Sequence, residues 1–131
     1  MGYPVPANSP QITIGSRTVC AAAFDWSNIV GTFFKVGIYE KGGNGEWMEL
    51  SAIATYTNDG DFLKDMQSKG GSVAYMKWIV SQINAAFSKL FGAAPVAASV
   101  EPTTDPAAKA YVLNALAGMR LVNANGVPTV G

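Results

Sequence analysis

The chain has no histidine. That absence removes His-based general-base catalysis, Ser-His-Asp and Cys-His arrangements, and most zinc sites. It has one cysteine, Cys20, so no disulfide can form within the chain. Cys20 lies in the apolar run "TVCAAAF", which predicts a buried, inert thiol rather than a nucleophile. One cysteine without histidine cannot build a transition-metal cage. No cofactor, no metal centre and no enzymatic activity are expected.

Charge is scarce as well. Charged residues make up 14% of the chain and the formal net charge is +0. Soluble proteins carry roughly 25%. A neutral chain lacks the surplus of Lys and Arg that a sequence-independent grip on duplex DNA requires. So few charges predict a surface partly covered by partners. Those charges are also unevenly spread. Glu40, Glu46, Glu49, Asp59, Asp61 and Asp65 stand against only Lys41 and Lys64 between residues 40 and 65. Lys69, Lys77 and Lys89 follow with no acid before residue 101. An acidic and a basic region of this kind can pair head to tail between copies.

Long apolar runs are missing too. The longest, within residues 73–91, is interrupted by Lys77, Ser81, Gln82, Asn84, Ser88 and Lys89, so no membrane span or membrane partner is predicted. The first residues have no basic stretch followed by an apolar one, as a secretory signal would. Pro6 stands where a myristoylation signal wants Ser or Thr. The expected location is cytoplasm or virion.

What is present begins with "MGYPVPANSP". Pro4, Pro6 and Pro10 fix their own φ and bias their predecessors to extended conformations. Residues 1–10 therefore read as an extended, polyproline-like arm. Residues 11–131 read as a single domain with an extended C-terminal tail. In "QITIGSRTVCAAAFDW", Ile12 and Ile14 alternate with polar residues around a Gly15-Ser16 turn. Val19, Ala21 and Ala23 then face one way, and Cys20, Ala22 and Phe24 the other. Asp25, Ser27 and Asn28 read as a turn that ends the strand.

"TFFKVGIYE" places Phe34, Val36 and Ile38 on one face and Phe33, Lys35, Gly37 and Tyr39 on the other. "EWMELSAIATYT" places Met48, Leu50, Ala52, Ala54 and Tyr56 opposite Trp47, Glu49, Ser51, Ile53 and Thr55. With "KGGNG" between them, the two runs form a β-hairpin. A short helix follows, capped by Asn58 or Asp59 and ended by Gly70-Gly71. The main helix starts at Ser72 and stops at Gly92. Met76, Ile79, Val80, Ile83, Phe87 and Leu90 form its apolar stripe, with Lys77, Ser81, Asn84 and Ser88 opposite. A second helix opens with Asp105 as N-cap and Pro106 at its first position. Asn125-Gly126 signals a turn near the end. The predicted architecture is α+β: an antiparallel sheet of about four to five strands, two helices packed on one face, and extended termini.

Three chemical motifs weaken on inspection. In "NDGDFLKD", a calcium loop beginning at Asp59 would put Gly70 where a bidentate Glu belongs, so Asp59, Asp61 and Asp65 read as helix-start carboxylates. In "KGGNG" the lysine precedes the glycines, the reverse of a phosphate-binding loop. Glu46 and Glu49 are three apart on a strand and point to opposite faces, which denies them a shared glycosidic bond.

Two functional expectations lead, with an enzyme working only through two carboxylates converging in a tight pocket as a third option. The first is a non-enzymatic structural subunit of a repeating assembly, such as a capsid-decoration or tail component of a virus or phage. Tyr3, Pro4, Val5 and Pro6 would contact other protein subunits, and "NGVPTVG" would do likewise. The alternative is a single-stranded nucleic-acid-binding protein, with Phe33, Tyr39 and Trp47 as stacking surfaces beside Lys35 and Lys41.

Overall fold

Four of the alternating segments assemble into an antiparallel meander in the computed structural model, which describes residues 3–29, 32–92 and 109–131. The strands are β1 (Gln11–Ile14), β2 (Arg17–Ile29), β3 (Thr32–Lys41) and β4 (Trp47–Tyr56), in spatial order β1-β2-β3-β4. Three helices follow: α1 (Asp59–Ser68), α2 (Ser72–Leu90) and α3 (Lys109–Ala117). A separate two-stranded hairpin, β5 (Leu121–Ala124) and β6 (Val127–Val130), closes the chain. The α+β class is as expected. The strands divide between two sheets, however, and α1 joins α2 and α3 in the core.

The core forms between one face of the meander and the helices. Val19, Ala21, Ala23, Phe34, Val36, Ile38 and Tyr56 meet Phe62, Met66, Tyr75, Ile79, Ile83, Phe87, Val112 and Leu116. Opposite pairs such as Ala21↔Ile38 and Ala23↔Val36 put the predicted inward residues of β2 and β3 on one face. Gly42 N–H donates to the Glu46 carbonyl at 2.8 Å and closes the predicted β3–β4 hairpin.

Four local expectations change. β2 does not end at Asp25. It runs to Ile29, which pairs with Thr32 across a register shift. The β3–β4 ladder shifts twice, because Val36 and Gly37 pair with Ala54 and Ala52, and Ile38 and Tyr39 pair with Ser51 and Glu49. Ile53 and Leu50 are thus the extra residues of two bulges, and both pack on the helix side. Strict alternation had assigned them to opposite faces. Ser72 is not the cap of α2. Gly71 occupies that position, and Ser72 turns its hydroxyl inward towards the Met66 sulfur. The Asn125-Gly126 turn leads into a strand rather than a tail, and Val130 N–H donates to Asn84 Oδ1 at 2.9 Å. β6 therefore lies along the polar stripe of α2, where Ser81 and Ser88 are buried.

Asn58 caps α1 as expected, since its Oδ1 accepts the Asp61 N–H at 2.7 Å. Asp105 and Pro106 lie outside the described residues. No helix among the described residues is long and apolar enough to cross a membrane.

Candidate functional site

The face of the meander turned away from the helices is not open. Cys20, Ala22 and Phe24 of β2 and Tyr39 of β3 are buried on it, covered by Tyr3, Val5 and Trp47. Opposite pairing explains the grouping: Cys20↔Tyr39, Ala22↔Gly37 and Phe24↔Lys35 alternate with the core-facing pairs. The proline-rich segment is therefore not a free rod. Tyr3 N–H donates to the Trp47 carbonyl at 2.9 Å, Val5 N–H to the Tyr3 carbonyl at 2.8 Å, and Ser9 N–H to the Pro6 carbonyl at 3.0 Å. The segment bends twice and lies back on its own sheet. Pro10 is buried, and its carbonyl accepts the Ala21 N–H at 3.1 Å, which anchors the entry into β1.

Tyr3 sits in an aromatic and cationic cradle. Its ring centroid is 5.0 Å from that of Tyr39, tilted by 48°. Phe24 meets Tyr39 edge-on at 5.3 Å. Lys35 Nζ lies 5.0 Å from the Tyr3 ring centre and forms an ion pair with Glu49. An aromatic pair contributes about 0.5–1.5 kcal/mol beyond its area, and a partly desolvated cation–π contact about 1 kcal/mol. The cradle is thus a receptor for one aromatic side chain.

Gly37 makes the receptor possible. A Cβ there would stand 2.8 Å from the Tyr39 hydroxyl and 3.0 Å from the Ser51 carbonyl. Tyr39 fills that vacant space by lying back along its own strand. Its hydroxyl is fully buried and has no hydrogen-bond partner among the described residues. Burial, then the charge of Glu49, pushes its pKa up.

Of the expected stacking residues, Lys35, Tyr39 and Trp47 come together on this face. Lys41 pairs with Trp47 across the hairpin, its ammonium 5.8 Å from the indole centre. The Phe33 side chain lies outside the described residues. Tyr39 itself is covered by Tyr3, so no open platform exists with the segment in place. Pro4 is exposed, while Tyr3, Val5 and Pro6 are half-buried. No protein-family model, curated protein or solved structure matches this chain.

Cys20 lies beneath the same cover. Burial raises its pKa to about 12. A thiol without solvent access or thiolate character reacts slowly. Deleting residues 2–6 is expected to raise the rate at which a thiol reagent labels Cys20 by about tenfold or more. Equal rates in the intact and shortened chains would show that the segment does not cover this face.

A second polar cluster sits where α1, α2 and β4 meet. Tyr56 donates to Asp65 Oδ2 at 2.5 Å, the Tyr56 and Tyr75 hydroxyls are 2.8 Å apart, and Lys69 donates to Asp65 Oδ1 at 2.7 Å. These contacts pin α1 and α2 to β4. Burial pushes the Asp65 pKa up, but the hydrogen bonds from Lys69 and Tyr56 outweigh it and hold the carboxyl below its usual range. Glu46 sits in the hairpin loop with Asn44, while Glu49 is engaged with Lys35. Among the described residues, no group of three or more Cys, Asp and Glu side chains is placed to hold a metal.

Open hollows lie elsewhere among the described residues. A groove of about 590 Å³ runs between β4 and α2, lined by Leu50, Ile53, Gln82, Ala86, Lys89 and Leu90. A shallower hollow of about 400 Å³ is lined by Val73, Met76, Lys77, Val80 and Tyr111. β4 is an outer strand of the sheet, and its sequence contains neither lysine nor proline. Met48 on it is 53% exposed. Lysine and proline are two of the devices that blunt a sheet edge; β4 carries instead two bulges, Glu49, and a Trp47 carbonyl taken by Tyr3. The exposed edge went unnoticed in the sequence, although the same lack of lysine and proline was visible there.

Proposed function

We propose that the protein is a non-enzymatic structural subunit of a repeating assembly, with other protein subunits, chiefly copies of itself, as partners. The observation that carries this reading is the outer strand β4. Past the Trp47 carbonyl, which Tyr3 occupies, it runs on free of lysine and proline, interrupted by two bulges and bordered by a largely apolar groove. Such an edge recruits another chain by main-chain pairing, and the groove accepts its side chains. The formal net charge of +0 gives two copies little long-range repulsion. A virus or phage particle, with this chain as a capsid-decoration or tail component, is the assembly we favour, by analogy of architecture alone.

The test is the molar mass in solution as a function of concentration. The wild type is expected to associate. Met48→Lys puts a charge on the edge and is expected to weaken association by about tenfold or more while leaving the fold intact. A wild type that stays monomeric up to millimolar concentration overturns the proposal.

The second reading, single-stranded nucleic-acid binding, has one observation in its favour: Lys35, Tyr39 and Trp47 share a face. It requires the segment around Tyr3 to leave Tyr39. Oligonucleotide titration at low salt tests it, with Trp47→Ala expected to weaken binding. No binding by the wild type or by a chain lacking residues 2–6 ends that reading.

A further inference from the structure

We infer that the Tyr3 receptor on the outer face of the meander is an exchange site: residues 3–5 of one copy leave their own sheet and dock on Phe24, Lys35, Tyr39 and Trp47 of the next. The inference rests on the proposed role as a subunit of a repeating assembly and names a second contact between copies, beside the β4 edge.

The occupant is fixed by what sits there already. Tyr3 and Val5 of the same chain fill the receptor, so a second copy brings an identical side-chain set. The receptor contacts are remade by the neighbour: the Tyr3 N–H to the Trp47 carbonyl, the Tyr39 ring contact, and the Lys35 ammonium over Tyr3. Exchange of an identical element is for this reason a low-cost route to association. What differs between the two forms is the connection. Within one chain, residues 6–9 must turn back, and Ser9 N–H to the Pro6 carbonyl closes that turn. Reaching a neighbour lets the turn open.

Two features favour release. Residues 3–5 meet the main chain of the sheet at its margin, where Tyr3 N–H donates to the carbonyl of Trp47, the first residue of β4. Pro4 and Pro6 restrict the released segment, so recapture by a neighbour orders less freedom.

The experiment uses the full chain, a variant lacking residues 2–6, the full-length variant Tyr3→Ala, and a synthetic peptide of residues 1–10. Light scattering gives the mass of each protein across concentration. The wild type is expected to associate, and both variants are expected to associate at least tenfold more weakly. The peptide is expected to bind the shortened chain and to slow labelling of its Cys20 at least tenfold, whereas a peptide carrying Tyr3→Ala leaves the rate unchanged. If the shortened chain does not fold, Tyr3→Ala alone decides the matter by mass. Association of both variants as strong as that of the wild type overturns the exchange and leaves the assembly reading standing. A monomeric wild type overturns both. A peptide that neither binds nor protects Cys20 in a folded shortened chain also overturns the exchange.

Discussion

Raising the pH above about 9 is expected to destabilise the protein steeply and to unfold it cooperatively near pH 11–12. Four buried groups set the sign. Cys20, Tyr39 and Tyr75 are fully buried and Tyr56 is nearly so. In each case burial is the largest cause, and it pushes the pKa up. For Cys20 the value reaches about 12. In the unfolded chain a thiol ionises near 8.5 and a phenol near 10. Above those values the unfolded state binds fewer protons than the native one, so stability falls as pH rises. Each group contributes a slope of about 1.4 kcal/mol per pH unit while it keeps its proton in the fold. With four groups, the loss by pH 11 is on the order of 7 kcal/mol, against a typical total of about 5–15 kcal/mol.

Tyrosinate absorbance and far-UV circular dichroism, followed together, check this expectation. The buried phenols should titrate in one step that coincides with loss of secondary structure. Smooth phenol titration with the fold intact would contradict their burial. Cys20→Ser should remove the earliest part of the decline. Tyr39→Phe should remove one phenol from the step at little cost at neutral pH, because its hydroxyl has no partner to lose. Asp65 and Glu40 act at the opposite end. Both carboxyls are held below their usual range, Glu40 chiefly by its hydrogen bond from Arg17. Their contribution is present above the unfolded carboxylate pKa near 4 and is lost as pH falls through the lower folded values.

The strands were legible because their inward positions repeat every second residue. Val19, Ala21 and Ala23 on β2 and Phe34, Val36 and Ile38 on β3 all reach the core. The pattern failed on β4, where Leu50 and Ile53 are bulged residues and two register shifts turn both to the helices. Alternation has no signature for a residue inserted without a partner. Helix α2 was legible along its apolar stripe and misread along its polar one. Ser81 and Ser88 are buried because the last strand, β6, lies on that side. Which surface a terminal hairpin covers is a long-range fact that local spacing does not encode.

The outer-face receptor shows the same division. The sequence placed Lys35, Gly37 and Tyr39 on one face, and they share it. It carried a further signal in Gly37, since a glycine inside a strand often marks a close approach. Here the approach is by Tyr39, whose hydroxyl takes the space a Cβ would fill. The sequence could not place Tyr3 against Tyr39, because the proline-rich segment has no periodicity to align it. Its prolines suggested stiffness; instead, turns at residues 3–5 and 6–9 fold it back onto the sheet.

Phe62→Ala is expected to cost about 3–5 kcal/mol, the largest effect of any single substitution considered for this chain. Phe62 is fully buried on α1 and touches three other elements through aromatic rings. Its centroid lies 4.9 Å from Phe34 of β3, 5.2 Å from Tyr56 of β4 and 5.9 Å from Tyr75 of α2. The last two contacts are edge-on, a geometry worth about 0.5–1.5 kcal/mol each beyond area burial. Removing the ring leaves a cavity whose walls come from four separate elements, which cannot all move in to fill it. It also strips one wall from the Tyr56–Tyr75–Asp65 hydrogen bonds, where a lost partner leaves a buried hydroxyl unpaired. Phe62→Leu keeps most of the volume and should cost about half as much. Urea unfolding of the three proteins measures the differences, with an unchanged m-value confirming that the folded state is retained. The double variant Phe62→Ala with Tyr56→Ala should lose less than the sum of the two single losses, because each removes the same ring contact. Full additivity, or a loss below about 1 kcal/mol for Phe62→Ala, would show that α1 is not locked to the sheet through this ring.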